Sequence, residues 1–165
     1  MSRYQCLPEL TILSGDTESN VDVARARAEK LIGDGAQLLV GAFDSGQTTA
    51  IAQVAEQKGI PLVINIAAAP QITEQGYKFV FRNFQTAPDI VRNGLALIGE
   101  LFQATNTVPR TAVFMHVNDT FGQAMAKGIG AFMPRLTQLP FKIVDTISYD
   151  PAAKDLTVEV SKAKA

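Results

Sequence analysis

The sequence predicts an α/β fold made of parallel sheets with helices on both faces. Short apolar runs alternate along the chain with longer stretches whose apolar residues recur at helical spacing. Glycine and proline residues separate many of these segments. The 165 residues are 47% hydrophobic and 19% charged, so the chain can bury a core. Strands that alternate with helices are typical of parallel sheets joined by right-handed crossovers.

The predicted strands are the short apolar runs. They are residues 10–13, 38–40, 60–64, 79–81, 111–115 and 141–147. Pro61 is tolerated because it lies near the start of its run. Residues 141–147 alternate apolar and polar side chains, as a half-exposed strand does.

The predicted helices are the stretches with a helical apolar period. They are residues 21–32, a stretch that follows the turn at 41–46 and runs through 51–55 to residue 58, and residues 88–104, 122–133 and 155–164. Asn20 is one of several capping residues before the first helix, and Gly33 and Gly35 end it. Pro88 fits the first turn of the third helix. Polar and proline residues between 84 and 88 predict a change of structural unit there.

Composition and motifs argue against several classes of function. A formal net charge of -1 gives no electrostatic case for nucleic acid, and no run of about 18 apolar residues spans a membrane. Cys6 is the only cysteine of the sequence and His116 the only histidine. An internal disulfide is therefore excluded, as is a metal site built from several cysteines and histidines. No phosphate-binding or zinc-protease motif occurs. A catalytic triad of Asp44, Ser45 and His116 is not supported, because Ser45 does not lie in a G-x-S-x-G elbow. We therefore expect no enzyme, cofactor or metal.

In parallel sheets, ligands lie beyond the carboxyl ends of the strands. That rule selects the loops at residues 41–47, 65–72 and 116–122. Ser45 lies in the first of these loops and immediately precedes a predicted helix. Its hydroxyl group can donate to an anion where the helix dipole favours negative charge. The alternative is that Ser45 only caps this helix.

Six segments together carry a family resemblance. They read DTESN (16–20), VGAFDSG (40–46), GIPLVI with AAAPQITEQG (59–64 and 67–76), VFRN (80–83), NDTFG (118–122) and YDPAAKDL (149–156). In this order they resemble the branched-chain amino-acid (Leu/Ile/Val-binding) type of ABC transporter solute-binding protein, which has the type I periplasmic binding protein fold. The resemblance covers residues 10–165.

The resemblance implies parts of two Rossmann-like lobes. Residues 1–86 would belong to lobe one, without its first strand and helix, and residues 87–165 would be the first part of lobe two. Family members are much longer, so the chain is expected to be truncated at both ends. No signal peptide opens it, although the intact parent would be periplasmic.

The implied function is non-catalytic. A small carboxylate-bearing ligand, either a hydrophobic amino acid or an aromatic or aliphatic acid, would be captured between the lobes and delivered to a membrane permease. The ligand-binding residues implied are Ser45, Ala67, Ala68, Ala69, Phe121, Phe43 and Asp44. The family often has a hydroxyl residue in the alanine loop and a tyrosine in place of Phe121. These departures favour an apolar acid, although both phenylalanines also suit a core.

Three alternatives remain open at this point. The same fold serves as a cytoplasmic ligand-sensing regulator. A flavodoxin-like enzyme would need a phosphate-binding loop after the first strand, and residues 14–20 contain one glycine and no lysine. Finally, the chain would bind nothing if the missing parts of the sheets are required. Exposed strand edges would then favour a homodimer.

Overall fold

The computed structural model describes residues 10–135 and 139–164, and strands alternate with helices throughout them. The helices are α1 (Val21–Gly33), α2 (Ser45–Lys58), α3 (Ala87–Thr105), α4 (Thr120–Phe132) and α5 (Thr157–Lys164). The strands are β1 (Leu39–Val40), β2 (Leu62–Ile64), β3 (Val80–Arg82), β4 (Thr111–Val117) and β5 (Lys142–Tyr149). Short 3-10 helices occupy Pro70–Ile72 and Met133–Arg135.

The strands form two parallel sheets. In the first, β1 pairs with β2 and β2 pairs with β3, so its order follows the chain. In the second, β4 pairs with β5, with one irregularity between Ala112 and Val113. All of these pairings are parallel. Helix α2 connects β1 to β2, and helix α4 lies between β4 and β5. The predicted α/β fold with parallel sheets is confirmed.

Local sequence signals account for the helix ends. The Asn20 side chain accepts hydrogen bonds from the backbone N–H groups of Asp22 and Val23, which satisfies donors that α1 leaves free. Helix α2 ends at Gly59, whose φ of 65° lies in the left-handed region that glycine adopts without a Cβ penalty. These two predicted boundaries are confirmed.

The core lies between the first sheet and helices α1 and α2. Leu39, Leu62 and Val80 stand in one row across the three strands, and all three are buried. Alanines on both helices allow close packing against this row; in the core cluster they are Ala24, Ala28, Ala52 and Ala55. Full burial of a side chain such as Leu62 contributes roughly 2 kcal/mol.

The opposite face of the first sheet is exposed over the described residues. Val40 and Phe81 stand in register with Val63 on that face, and they are 67% and 53% exposed. The edge of β1 is also open in the described residues, since this strand has a neighbour on one side only. Parallel sheets normally have both faces covered by other parts of a protein, so this exposed surface is suited to contact with further protein.

The predicted strand at residues 10–13 is wrong. The structure gives these residues no regular secondary structure, and Leu10 and Ile12 are 82% and 80% exposed. A strand requires a neighbour for its backbone hydrogen bonds, and no strand of the described part of the chain pairs with these residues. The apolar pattern alone therefore does not form a strand here.

Helices α4 and α5 pack on the second sheet, and α3 packs on α4. Helix α4 contacts β4, and α5 contacts β5. A Cβ atom on Gly128 would lie 3.3 Å from Cγ2 of Val91, which shows how closely α3 and α4 approach. Among the described residues, no helix combines the length and the hydropathy needed to cross a membrane.

Candidate functional site

The parallel strands bring two of the three predicted site loops to one edge of the first sheet, whereas the third, residues 116–122, follows β4 of the second sheet. The loop after β1 leads into α2, and the loop after β2 contains the three alanines. Because β1 and β2 are neighbours and parallel, both loops leave from their carboxyl ends. The sequence prediction that residues 41–47 and 65–72 lie together is consistent with this topology.

Ser45 is the first residue of α2, and only 1% of its surface is exposed. Its Oγ accepts a hydrogen bond of 3.3 Å from the backbone N–H of Ala69. The alternative that Ser45 caps the helix is wrong, because the cap is Asp44. The Asp44 carboxylate accepts from the backbone N–H of Gln47 at 2.8 Å. The Ser45 hydroxyl is therefore not used as a cap, and its proton remains a donor.

Ala67, Ala68 and Ala69 are all buried, and their carbonyl groups have fixed partners. The carbonyl oxygen of Ala68 accepts from the backbone N–H of Ala87, the first residue of α3, at 2.7 Å. The same peptide unit presents the Ala69 N–H to Ser45. A continuous series of hydrogen bonds thus runs from the start of α3 through the alanine loop to Ser45.

Arg82 fixes the remaining carbonyl groups of this loop. Its Nη2 donates to the carbonyl oxygen of Ala69 at 2.7 Å, and its Nη1 donates to that of Ala67. Burial lowers the pKa of the Arg82 guanidinium, and the nearby Glu74 carboxylate opposes that shift. No sequence motif assigned a role to Arg82, although it is the third residue of the VFRN segment.

Thr48 shapes the loop that precedes α2 and was also missed. Its side chain is fully buried, and its Oγ1 donates to the carbonyl oxygen of Asp44 at 2.6 Å. The Thr48 Oγ1 also accepts a hydrogen bond from the backbone N–H of Ala42 at 3.3 Å. The hydroxyl therefore holds residues 42–44 against the first turn of α2. Phe43 projects from this loop and is 79% exposed.

The start of α4 lies against the start of α2. A Cβ atom on Gly46 would be 3.5 Å from Oγ1 of Thr120, which shows that the two first turns are in contact distance. Phe121 follows Thr120, is half-buried, and packs against the core cluster. This packing agrees with the core alternative for Phe121. Its contact with a ligand stays a prediction.

The loop before α4 is held by Asp119 and His116. The Asp119 carboxylate accepts from the backbone N–H of Gly122 at 2.7 Å and thereby caps the helix. The His116 ring stacks on Phe114 with a centroid distance of 5.5 Å, and its Nδ1 lies 2.8 Å from the carbonyl oxygen of Val117. His116 is thus a packed residue.

Two cavities lie away from these residues. One of about 280 Å³ is lined by α1, β1 and the residues before α1, including Ala28 and Leu39. Another of about 510 Å³ lies beside α3, lined among others by Leu95 and Phe102. Neither cavity is lined by Ser45 or by the alanines of the loop after β2, residues 67–69. In the described ranges, no group of three or more His, Cys, Asp or Glu residues is placed to hold a metal ion.

Comparison with known proteins agrees with this architecture. The leucine-, isoleucine-, valine-, threonine- and alanine-binding protein of Pseudomonas aeruginosa is 25% identical over 141 residues, covering 86% of this chain and 36% of that protein. The Leu/Ile/Val-binding protein of Escherichia coli strain K12 is 24% identical over 121 residues, or 73% of this chain and 32% of that protein. The chain therefore spans about a third of the length of these relatives.

Solved structures show the same fold. An ABC transporter solute-binding protein from R. palustris in complex with benzoate superimposes with a TM-score of 0.71 at 24% identity, covering 90% of this chain and 39% of that chain. An ABC transporter substrate-binding protein from Desulfitobacterium hafniense in complex with Leu gives 0.68 at 22% identity, with 93% and 44% covered. The family model described as periplasmic binding protein matches residues 8–165. The chain belongs to the periplasmic binding protein family.

Proposed function

We propose that this chain forms the carboxylate-binding part of the solute-binding component of an ABC importer. The observation that carries the proposal is the position of Ser45. Its hydroxyl stands at the first turn of α2 and is held against the N–H of Ala69. Relatives whose names state leucine, isoleucine and valine binding support the class of function.

The geometry suits recognition of a carboxylate by hydrogen bonding. Because the Ser45 Oγ accepts from Ala69, its own proton is free to donate to a ligand oxygen. The N-terminus of α2 adds partial positive charge at the same point. The alanine side chains are small, so a ligand can approach the backbone of residues 67–69 closely. We propose that these groups hold the acid group of the ligand.

The ligand class follows from the side chains around that point. Ala67, Ala68 and Ala69 provide no side-chain hydroxyl, and Phe121 and Phe43 provide apolar surface. Such a lining favours a hydrophobic amino acid or an aromatic or aliphatic acid over a polar one. Structurally similar solute-binding proteins in complex with Leu, benzoate and 4-hydroxybenzoate are consistent with this range.

The arrangement of the two sheets suggests capture by closure. We propose that residues 1–86 and 87–165 belong to two lobes, with Ser45 on one and Phe121 on the other. Ser45 is almost fully buried, and Gly46 lies close to Thr120, so the first turns of α2 and α4 must separate for a ligand to enter. The closed complex would deliver its ligand to a membrane permease, and the intact protein would work in the periplasm.

A thermal-shift screen with matched acids and amides tests this function. L-leucine, benzoate and 4-hydroxybenzoate would be compared with L-leucinamide and benzamide. A ligand that binds only the folded chain raises the melting temperature with its concentration. We expect a rise with at least one acid and a much smaller rise with its amide. Equal shifts for acid and amide, or no shift with any acid, would contradict the proposal.

A further inference from the structure

Arg82 carries a buried donor that has no acceptor and a charge that makes no direct ion pair. Its Nε is buried, and no acceptor faces it among the residues that the structure describes. None of the ion pairs found in residues 10–135 and 139–164 includes this guanidinium. The Glu74 carboxylate acts on this charge without forming a direct ion pair with it. A partly buried cation without a direct ion pair is costly, as is a buried donor without an acceptor.

The contacts that Arg82 does make are all with neutral oxygen atoms of the alanine loop and the residues after it. It donates to the carbonyl oxygens of Ala67 and Ala69, and its Nη2 lies 3.5 Å from Oγ1 of Thr73. The planar guanidinium therefore fixes two carbonyl groups of one short loop at once. A point charge such as a lysine ammonium does not offer this fork of donors.

Ala69 connects Arg82 directly to Ser45. Its carbonyl group accepts from Arg82, and its N–H group donates to the Ser45 Oγ. Holding the carbonyl groups of Ala67 and Ala69 restricts the orientation of the peptide units between them. That restriction keeps the Ala69 N–H aimed at Ser45 and, through it, sets the direction in which the Ser45 proton can point.

We propose that Arg82 is the positioning residue of the carboxylate site and determines its preference for anions. The inference rests on the proposed function of Ser45 and extends it to a residue with no assigned role. Arg82 acts in two separable ways. Its fork of donors orients the alanine loop, and its charge, which makes no direct ion pair in the described residues, favours an acid held at Ser45. At a separation of about 10 Å and an effective dielectric constant of about 20, a unit charge changes the affinity for a carboxylate by about tenfold or more.

Three variants separate these two contributions. Arg82→Met removes both charge and fork, whereas Arg82→Lys keeps the charge and loses the fork. Arg110→Met is the control, because it removes the same charge from an exposed residue just before β4. If Arg82→Met does not fold, Arg82→Lys still tests the positioning contribution.

The first readout is hydrogen exchange of single backbone amides in the chain without ligand. The Ala69 amide is compared with the Leu62 amide, which donates to the carbonyl oxygen of Phe79 at 2.8 Å within the sheet. We expect both Arg82 variants to speed exchange at Ala69 by about tenfold and to leave Leu62 unchanged. Unchanged exchange at Ala69, or equal acceleration at both amides, would overturn the positioning role.

The second readout is the ratio of dissociation constants for benzoate and benzamide. We expect Arg82→Met to lower the preference for benzoate by about tenfold, Arg82→Lys to keep most of it, and Arg110→Met to match the wild type. The same ratio in Arg82→Met and wild type would overturn the role in selectivity. If the wild type binds neither probe, L-leucine and L-leucinamide replace them, and binding of no acid at all would end the proposed function and with it the selectivity role. The exchange at Ala69 then decides the positioning role on its own.

Discussion

The carbonyl oxygen of Val117 lies directly over the Cα of Gly122, well inside the contact distance that a Cβ atom there would require. Gly122 is buried in the first turn of α4, and its N–H is bonded to the Asp119 carboxylate. The end of β4 and the start of α4 are thus packed without room for any side chain. This contact explains why the NDTFG segment carries a glycine at its fifth position.

We predict that Gly122→Ala destabilises the chain by about 1–3 kcal/mol, or prevents folding, because the backbone of the strand must shift. Gly130→Ala in the same helix is the control, since nothing lies within 4 Å of its added Cβ. That change is expected to stabilise by roughly 0.5–1 kcal/mol, as alanine does in a helix. Urea unfolding of both variants measures the difference. Similar stabilities would refute the account of this turn.

The open edge of β1 predicts self-association of the isolated chain. Leu39 and Gly41 donate to the carbonyl groups of Pro61 and Val63, so the N–H and C=O groups of Val40 point to the unpaired side. We expect Val40→Lys to shift a dimer toward monomer, because an edge lysine opposes strand pairing. Val158→Lys, at a similarly exposed valine of α5, should leave the dimer intact. Light scattering after size-exclusion chromatography reports the mass, and a wild-type monomer at all concentrations would contradict this prediction.

The first turn of α3 predicts a dependence of stability on acid. The Asp89 carboxylate accepts from the hydroxyl and the backbone N–H of Thr86, and these hydrogen bonds hold its pKa below the usual aspartate range. A lowered folded pKa contributes stability that is complete above the ordinary pKa and is lost as the pH falls through the folded value. Asp89→Asn should therefore be less stable than the wild type at pH 7.

The difference in stability between Asp89→Asn and the wild type should shrink in strong acid, where the Asp89 carboxyl group of the wild type is protonated and uncharged. Glu100→Gln on the same helix controls for the change in net charge. Melting temperatures at pH 7 and in the acid limit provide the measurement. A difference that is constant with pH would show that the carboxylate charge at Asp89 is unimportant.

Local signals made much of the fold predictable. The ends of α1 and α2 follow from Asn20 and Gly59, because capping and a left-handed turn depend on residues adjacent in sequence. The strand expected at residues 10–13 failed because a strand depends on a neighbour that sequence periodicity does not supply. Asp44 and Ser45 are both favourable N-cap residues, so the sequence did not distinguish which of the two caps α2.

The candidate site was predictable only in its outline. The topology rule placed Ser45 and the alanines at the same edge of the sheet, and the Ser45–Ala69 hydrogen bond agrees with it. Arg82 was missed because its partners are carbonyl groups 13 and 15 residues earlier, and backbone acceptors carry no mark in the sequence. Interactions of this kind emerge only once the chain is folded.

The Ser45 hydroxyl is the central group of the proposed site, and calorimetric titration of Ser45→Ala with the acid that stabilises the wild type most tests its role directly. The substitution removes a hydrogen bond to a charged group worth about 1.5–3 kcal/mol, which is a loss of affinity of tenfold or more. Ser161→Ala on the exposed surface of α5 is the control and should bind as the wild type does. We predict that Ser45→Ala, measured below its melting temperature, loses at least tenfold in affinity. Wild-type affinity in the folded Ser45→Ala variant would contradict the assignment of this site.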